Sequence, residues 1–287
     1  MTTPSGAAAV RSPASLDDAL DALAADPGLV VLAGGTDLMV QLNYGVRRPA
    51  GVLSLRRVPG LRGWRVDDGA LVIGARTTYT ELLDPGLATL APALAQAART
   101  VGSPQIRNTG TVGGNLATAS PAGDTLPVLV AAGATVELAS ATGRRAVAVT
   151  EFLTGPKRTA LAPGELVVAV RLPVAAGPQE YLKVGVRNAM VIAVASCALV
   201  VDVAARRLGV ALGSAGPVPV RCGEAEAFAA AGIDWAAGTP APPEVLAGFA
   251  ERVAAAAAPI DDHRATAAYR RHACGVLARR ALARSFP

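Results

Sequence analysis

Apolar and polar residues alternate in a pattern that predicts short helices and strands along the first half of the chain. Leu16, Leu20 and Leu23 recur at helical spacing, and Ser15 is placed to cap that helix at its N-terminus. Other apolar runs predict strands at residues 52–55, 64–66, 70–73, 134–138, 146–149 and 166–172, and helices at residues 91–100 and 126–132. A strand before residue 33, a helix after residue 37 and the strand at residues 52–55 predict a small β-α-β-type unit that ends at about residue 57.

The last third of the chain has two long apolar stretches followed by helical patterns. Residues 192–203 and 208–213 predict strands joined by a turn at residues 204–207, and helices are predicted at residues 224–231, 243–257 and 265–284. The last helix carries Arg270, Arg271, Arg279 and Arg280 at helical spacing. This spacing predicts a solvated face, and docking onto a partner subunit is the alternative.

A first glycine-containing loop lies where an apolar strand meets the start of a helix. It comprises Val31, Leu32, Ala33, Gly34, Gly35, Thr36, Asp37 and Leu38. Glycines let backbone N–H groups approach a ligand closely, and a helix start adds unpaired N–H donors with the positive end of its dipole. Such a junction can bind phosphate. Taken alone, the stretch favours a tight turn, capped by Thr36 or Asp37, that binds nothing.

A second glycine cluster changes that interpretation. A polar segment between two apolar helices contains Thr111, Val112, Gly113, Gly114 and Asn115. The Thr111 and Asn115 side chains can hydrogen-bond to phosphate or sugar oxygens, and the two glycines are expected to allow positive φ. A structural loop held by Asn and Thr side chains is the alternative. Two separate glycine loops suit a ligand with two phosphates better than two turns without a ligand.

Composition excludes several classes of protein. The chain has 287 residues, of which 52% are hydrophobic and 17% charged, so it is globular rather than disordered. The net charge of +5 could suit nucleic acid, but only 3% of the residues are aromatic and the arginines are scattered, which excludes a base-stacking surface. The longest apolar run, residues 190–201, is shorter than the roughly 20 residues of a membrane span.

The cysteines and the N-terminus indicate a reduced, cytoplasmic protein. Cys197, Cys222 and Cys274 lie far apart without Cys-x-x-Cys spacing, which excludes an iron–sulfur cluster of the chain's own and disfavours zinc. The first five residues lack the basic and apolar regions of a secretory signal. We therefore expect reduced structural thiols, no metal site and a cytoplasmic location.

The two glycine loops, with their neighbours, resemble the FAD-binding medium subunits of the molybdenum hydroxylases, a family that includes xanthine and carbon monoxide dehydrogenases. The resemblance extends to residues 105–108, 181–185, 214–221 and 269–272 and to Asp124. It implies an α+β fold. Residues 1–176 would form a PCMH-type FAD-binding domain, with subdomains at about residues 1–57 and 58–176: a small β-α-β unit and a larger mixed sheet with helices. Residues 177–287 would form a C-terminal domain made of a three-stranded antiparallel sheet with helices.

The resemblance also assigns expected roles to individual residues. The loops at Val31–Leu38 and Thr111–Asn115 would surround the FAD pyrophosphate and ribose, mainly through backbone N–H groups. Asp124 would lie near the ribityl or ribose hydroxyls, and Lys183 near the flavin; the alternative for Lys183 is a surface lysine on a strand. Apolar positions near the flavin would be Val101, Val167 and Ile192, although core packing explains Ile192 equally well.

The function implied by the resemblance is electron relay. Electrons from a molybdopterin large subunit would cross the iron–sulfur clusters of a small subunit, reach FAD in this chain and pass to an acceptor, and no catalytic side chain is assigned here. Val186 and Val191 depart from the family, whose members commonly carry a basic and an acidic residue there. This departure supports one alternative, a free-standing FAD-dependent oxidoreductase acting on a small metabolite. A flavin-free interaction subunit is a further alternative.

Overall fold

The first unit of the chain is a three-stranded parallel sheet. The structure is a computed structural model that describes residues 9–236 and 239–287. Strands β1 (Ala9–Arg11), β2 (Val30–Leu32) and β3 (Gly51–Ser54) lie in the order β1-β3-β2, and they are connected by helices α1 (Leu16–Ala25) and α2 (Leu38–Asn43). The Ser15 Oγ accepts from the Asp18 N–H at 3.1 Å, so the predicted cap is confirmed. The predicted β-α-β unit is also confirmed as β2, α2 and β3, and β1 is an additional strand beside β3. The first five residues, on which the signal-peptide prediction rests, lie outside the described residues.

A larger antiparallel sheet and a group of short helices follow. The strands are β4 (Trp64–Asp67), β5 (Ala70–Gly74), β6 (Thr135–Ser140), β7 (Gly143–Ala148), β8 (Leu153–Gly155), β9 (Arg158–Thr159) and β10 (Leu166–Pro173). The helices are α3 (Pro85–Leu90), α4 (Pro92–Thr100), α5 (Pro104–Thr109), α6 (Val112–Thr118), α7 (Leu126–Ala131) and α8 (Val149–Phe152). The main sheet has the order β4-β5-β10-β6-β7, while β8 and β9 pair separately. Strand β10 lies between the β4–β5 hairpin and the β6–β7 hairpin and pairs antiparallel with β5 and with β6. Every pair in this sheet is therefore antiparallel, and the prediction that the sheet mixes parallel and antiparallel strands is wrong.

The polar segment after α4 is helical, whereas its glycine content had suggested a loop. Ser103 caps α5, with its Oγ 3.4 Å from the Ile106 N, and Thr111 caps α6, with its Oγ1 3.1 Å from the Gly114 N. These caps satisfy N–H groups that would otherwise be unpaired at a helix start. The glycines at 113 and 114 are therefore helical, and the predicted positive φ is wrong.

The C-terminal part is an antiparallel sheet covered by three helices. Its strands are β11 (Gln179–Val184), β12 (Ala195–Asp202), β13 (Arg207–Gly213) and β14 (Val220–Arg221), and its helices are α9 (Gly223–Gly232), α10 (Pro243–Ala256) and α11 (Ala267–Ser285). The strands lie in the order β11-β12-β13-β14. The three predicted strands are confirmed, and a two-residue strand extends the sheet at its edge.

The two faces of the C-terminal sheet belong to different hydrophobic cores. One face, including Tyr181 and Ala198, packs with α7 and the large antiparallel sheet. The other face packs against α9, α10 and α11, where Phe249 is fully buried. The approach of β13 to α7 is so close that a Cβ at Gly209 would lie 1.9 Å from the Ala131 carbonyl oxygen. Strand β11 packs against α4, where the Tyr181 N–H donates to the Gln96 side chain at 2.6 Å, and α4 leads into the second glycine cluster. Within the described residues, no helix has both the length and the apolar character needed to span a bilayer.

Candidate functional site

The fold brings the two glycine segments into direct contact. A Cβ built on Gly34 would lie 1.8 Å from the carbonyl oxygen of Thr109 and 3.1 Å from the Cα of Gly110. No L-residue with a side chain fits such an approach, so glycine is required at position 34 by the packing of the two loops. The first loop therefore lies against the junction of α5 and α6, as expected for two loops that bind one ligand.

The first loop presents backbone donors that the protein does not use. Among the described residues, no hydrogen bond is donated by the N–H groups of Gly34, Gly35, Thr36 or Asp37. The loop is partly exposed and turns at Gly35, whose φ is +76°. Asp37 precedes α2 but does not cap it, because its carboxylate accepts from the Gln41 side chain instead. Four neighbouring N–H groups are thus open to solvent or to an anionic ligand.

The second segment presents side chains rather than backbone amides. The backbone N–H groups of residues 112–115 all donate within the protein. Val112 donates to the Thr77 carbonyl at 3.0 Å and Gly113 to the Ala75 carbonyl at 2.8 Å. Gly114 donates to Thr111 Oγ1 at 3.1 Å, and Asn115 donates to the Thr111 carbonyl at 2.9 Å. The Asn115 Oδ1 accepts from Thr125 Oγ1 at 2.6 Å, which leaves the Asn115 Nδ2 as a donor. A Cβ at Gly114 would have only Thr111 Oγ1 within 4 Å. That contact is 2.9 Å, so the capping oxygen of Thr111 bounds this side of Gly114, and no other atom of the described residues does.

A buried ion pair connects the helices to the C-terminal sheet. Asp124 is 9% exposed, and its two carboxylate oxygens accept from Lys183 Nζ at 2.9 Å and Tyr181 OH at 2.8 Å. The Lys183 ammonium also donates to the carbonyl of Thr100 at 3.2 Å. Burial raises the pKa of Asp124, while the charge of Lys183 and the hydrogen bonds from Lys183 and Tyr181 act in the opposite direction. Lys183 is therefore no surface lysine, and that alternative is wrong.

Tyr181 was missed by the sequence reasoning. It lies two residues before Lys183 on β11, and such residues point to the same face of a sheet. That spacing was the available signal. Burial and the charge of Asp124 raise the pKa of Tyr181 well above its usual value, so its hydroxyl stays protonated and donates to the carboxylate.

The apolar positions assigned to the flavin side have different surroundings. Val101 is half-buried and directly follows Thr100, whose carbonyl accepts from the Lys183 ammonium. Val167 is buried on β10 in the same hydrophobic core as Val112. Ile192 is 49% exposed, so core packing does not explain it.

The arginine-rich helix α11 contains one buried arginine. Arg270 is 4% exposed, and its guanidinium donates to the Val194 carbonyl at 2.8 Å, the Ser214 carbonyl at 3.3 Å and the Asp262 carboxylate at 2.6 Å. The prediction of a solvated face is therefore wrong for Arg270, because two backbone carbonyls next to β12 and β13 and the Asp262 carboxylate accept from its two terminal nitrogens, although its Nε is buried without a partner in the described part of the chain. This contact fixes the start of β12, next to the segment that contains Ile192.

The fold and the paired glycine loops define a flavoprotein of the FAD-binding domain class, and comparison with family models leads to the same class. A model described as the FAD-binding domain in molybdopterin dehydrogenase matches residues 6–175, and one described as the CO dehydrogenase flavoprotein C-terminal domain matches residues 180–285. The chain belongs to this family of FAD-binding subunits of molybdenum hydroxylase-type oxidoreductases.

Individual relatives match the chain over nearly all of its length. It is 33% identical over 269 residues to the xanthine dehydrogenase FAD-binding subunit of Escherichia coli O157:H7, covering 90% of this chain and 89% of that protein. It is 32% identical over 271 residues to the glyceraldehyde dehydrogenase medium chain of Sulfolobus acidocaldarius, covering 93% and 94%. A solved chain of reconstituted CO dehydrogenase from Oligotropha carboxidovorans superposes with a TM-score of 0.88 at 30% identity, with 98% of each chain covered. The resemblance and the α+β fold class are confirmed.

The residues at the site fit FAD. The free N–H groups of the first loop are the kind of donor that a pyrophosphate requires, and the space beside Gly114 is a surface that a Cβ would fill. Among the described residues, no three His, Cys, Asp or Glu side chains are grouped so that they could hold a metal ion. The site is therefore suited to bind and position a cofactor that carries the redox chemistry itself.

Proposed function

We propose that this chain holds FAD noncovalently across its two glycine segments and relays electrons from the iron–sulfur clusters of a partner subunit to an acceptor. The observation that carries this proposal is the contact between Gly34 and Thr109, which places a row of free N–H groups beside the start of α6. When bound, FAD accepts and releases electrons, singly or in pairs. The protein supplies position, shielding and charge.

The proposed binding mode assigns the pyrophosphate to the first loop. The N–H groups of residues 34–37 would donate to phosphate oxygens, and Val31, Leu32, Ala33 and Leu38 would form the loop's frame. From the second segment, the Asn115 Nδ2 would donate to a phosphate or ribose oxygen. The backbone N–H groups of residues 112–115 already donate within the protein. In this binding mode the second segment therefore contacts FAD through its surface shape and its side chains.

The flavin end would lie beside the buried ion pair. Both oxygens of Asp124 are occupied by Lys183 and Tyr181, so its carboxylate acts here by orienting the Lys183 ammonium. A cation at that place would stabilise an anionic reduced flavin. Val101, Val167 and Ile192 would provide the apolar surroundings of the ring.

We further propose the organisation and assembly of the protein. The FAD-binding domain would comprise residues 1–176, with subdomains meeting near residue 57, and the C-terminal domain residues 177–287. The chain would assemble with an iron–sulfur small subunit and a molybdopterin large subunit, because relatives are named as medium chains of dehydrogenases. A cytoplasmic location is supported by three free, buried cysteines.

A second candidate function is a free-standing FAD-dependent oxidoreductase. It is favoured by the departures at Val186, which is exposed, and Val191. Purification of the chain from its native source separates the two candidates. A stable complex with iron–sulfur and molybdenum absorbance supports the subunit, whereas a yellow chain that oxidises a metabolite alone supports the second candidate.

The variant Gly114→Val tests the proposed FAD site. Its Cβ would lie 2.9 Å from the capping Thr111 Oγ1, which must shift, and its methyl groups would project into the space assigned to the cofactor, so we expect a folded chain that loses its flavin. Gly60→Val is the matched control, because a Cβ there meets nothing within 4 Å. Flavin absorbance and circular dichroism are measured on both variants. Full FAD occupancy in Gly114→Val would refute the placement of the cofactor.

A further inference from the structure

Tyr79 packs against the junction at which the two glycine segments meet. Its N–H donates to the Gly110 carbonyl at 3.1 Å, and the neighbouring Thr78 pairs antiparallel with Thr111. A Cβ built on Gly110 would lie 2.8 Å from the Tyr79 ring, and a Cβ built on Gly34 would lie 3.1 Å from the Gly110 Cα. Gly110 is therefore close to both Gly34 and the Tyr79 ring, so Tyr79 adjoins the proposed FAD site.

The hydroxyl of Tyr79 has no hydrogen-bond partner within the part of the chain that the structure describes. The residue is only 6% exposed, and its ring lies in the same hydrophobic core as Val112 and Leu116. Buried tyrosine hydroxyls usually form a hydrogen bond, because removing one from water without a partner is unfavourable. Arg270 Nε and Ser285 Oγ, which also lack partners among the described residues, are fully enclosed by protein, whereas the Tyr79 hydroxyl is not. It is therefore a donor that a bound molecule can reach.

The surroundings of Tyr79 keep its hydroxyl protonated. Burial raises the pKa of Tyr79, and the nearby negative charge of Asp124 raises it further. The Asp124 carboxylate itself accepts from Tyr181 and Lys183. Tyr79 thus provides a neutral O–H donor near the buried ion pair, and such a group can donate to a phosphate or hydroxyl oxygen.

Resting on the proposed function, we propose that Tyr79 is a further FAD-binding residue, whose hydroxyl donates a hydrogen bond to an oxygen of the ribityl phosphate part of the cofactor. The free N–H groups assigned to the diphosphate begin at Gly34, which lies close to Gly110. The ion pair of Asp124 with Lys183 is assigned to the flavin end. The ribityl phosphate connects those two parts of FAD, and Tyr79 lies near both assigned places. Phenylalanine would fill the same space in the core, so binding is the role that accounts for the hydroxyl.

Removal of this one oxygen atom tests the assignment. Tyr79→Phe is compared with the matched control Tyr269→Phe, which removes the same atom from an exposed tyrosine on α11. Urea unfolding of the flavin-free, full-length chain and its titration with FAD are measured on both variants. Because the Tyr79 hydroxyl has no partner among the described residues, we expect Tyr79→Phe to keep the urea midpoint of the wild type. Its Kd for FAD should rise about fivefold, as for the loss of one hydrogen bond, and Tyr269→Phe should change neither quantity.

Two further measurements separate ligand binding from a structural role. The Tyr181 hydroxyl donates to Asp124 at 2.8 Å within the protein itself, so Tyr181→Phe should lower the urea midpoint of the flavin-free chain. FMN contains the same ribityl phosphate, so its weaker binding to Tyr79→Phe should fall by a similar factor.

Three results would overturn the assignment: Tyr79→Phe binds FAD as tightly as Tyr269→Phe does, loses stability without flavin as Tyr181→Phe does, or weakens the binding of FAD but not of FMN. A wild-type chain that binds no FAD contradicts the proposed function instead. Tight binding of FAD by the wild type and by Tyr79→Phe alike contradicts only the role of Tyr79.

Discussion

Replacing Lys183 by methionine removes the cation from the buried pair with Asp124 while keeping a side chain of similar length. At the observed 2.9 Å and an effective dielectric constant of about 20, the charges attract each other by roughly 6 kcal/mol. Desolvation of the two charges offsets part of this attraction, and removing one partner of a buried pair costs about 3–5 kcal/mol. We expect the free energy of unfolding to fall by about 3 kcal/mol at pH 8.

The loss should depend on pH because Asp124 can become neutral. Burial already raises the pKa of Asp124, and without Lys183 this pKa rises further. A carboxyl whose pKa is raised in the folded state favours folding at low pH and loses that contribution as the pH rises through the folded-state pKa. The deficit of Lys183→Met should therefore be large at pH 8 and smaller at about pH 5.

Urea unfolding of the apo chain at both pH values measures this effect. Lys157→Met is the matched control, because Lys157 is the other lysine of the chain and is exposed. It should stay within about 0.5 kcal/mol of the wild type. The double variant Asp124→Asn/Lys183→Met should regain part of the loss, since no unpaired charge remains. A Lys183→Met variant as stable as the control at pH 8, or equally weakened at both pH values, would refute the reasoning.

Three further predictions concern other parts of the molecule. Gly34→Ala should destabilise the fold and release FAD, because its Cβ would lie 1.8 Å from a backbone carbonyl oxygen; Gly60→Ala should do neither, and thermal denaturation with flavin absorbance compares them. Hydrogen bonds from the backbone N–H groups of Arg264 and Ala265 lower the pKa of Asp262 from 3.8 to about 2. The contribution of Asp262 to the free energy of unfolding is therefore complete above pH 3.8 and is lost as the pH falls through about 2. In an acid-unfolding curve, Asp262→Asn should flatten that pH range. Burial raises the pKa of Cys222 and of Cys274 to about 12, so iodoacetamide at pH 8 should label the cysteines only after unfolding, and labelling of the native chain would contradict their burial.

Features that depend on neighbouring residues could be predicted from the sequence. The Ser15 cap, the strands at residues 64–66 and 70–73, and the strands of the C-terminal sheet follow from spacing and turn residues that act locally. The helices at residues 104–109 and 112–118 were not predicted, because the glycines that flank the first helix and lie in the second indicate a loop more strongly than Ser103 and Thr111 indicate helix starts. A capping side chain before a helix can thus outweigh weak helix propensity.

Features that depend on distant residues could not be predicted from spacing. The contact of Gly34 with Thr109 requires the parallel sheet and the α5–α6 junction to meet, and nothing near either residue specifies that approach. The burial of Arg270 depends on carbonyls of two distant segments that accept from it, together with the Asp262 carboxylate. The sequence could name Asp124 and Lys183 through the family resemblance, but their direct pairing depends on how β11 packs against the helices.

The central claim is that one dinucleotide is held by its diphosphate across two glycine segments. Titration of the apo chain with FAD and with FMN, followed by protein and flavin fluorescence, tests it most directly. We expect saturation at one FAD per chain and much weaker binding of FMN, which has a single phosphate and no adenosine. Equal affinity for FAD and FMN, or no binding of FAD in excess, would contradict it.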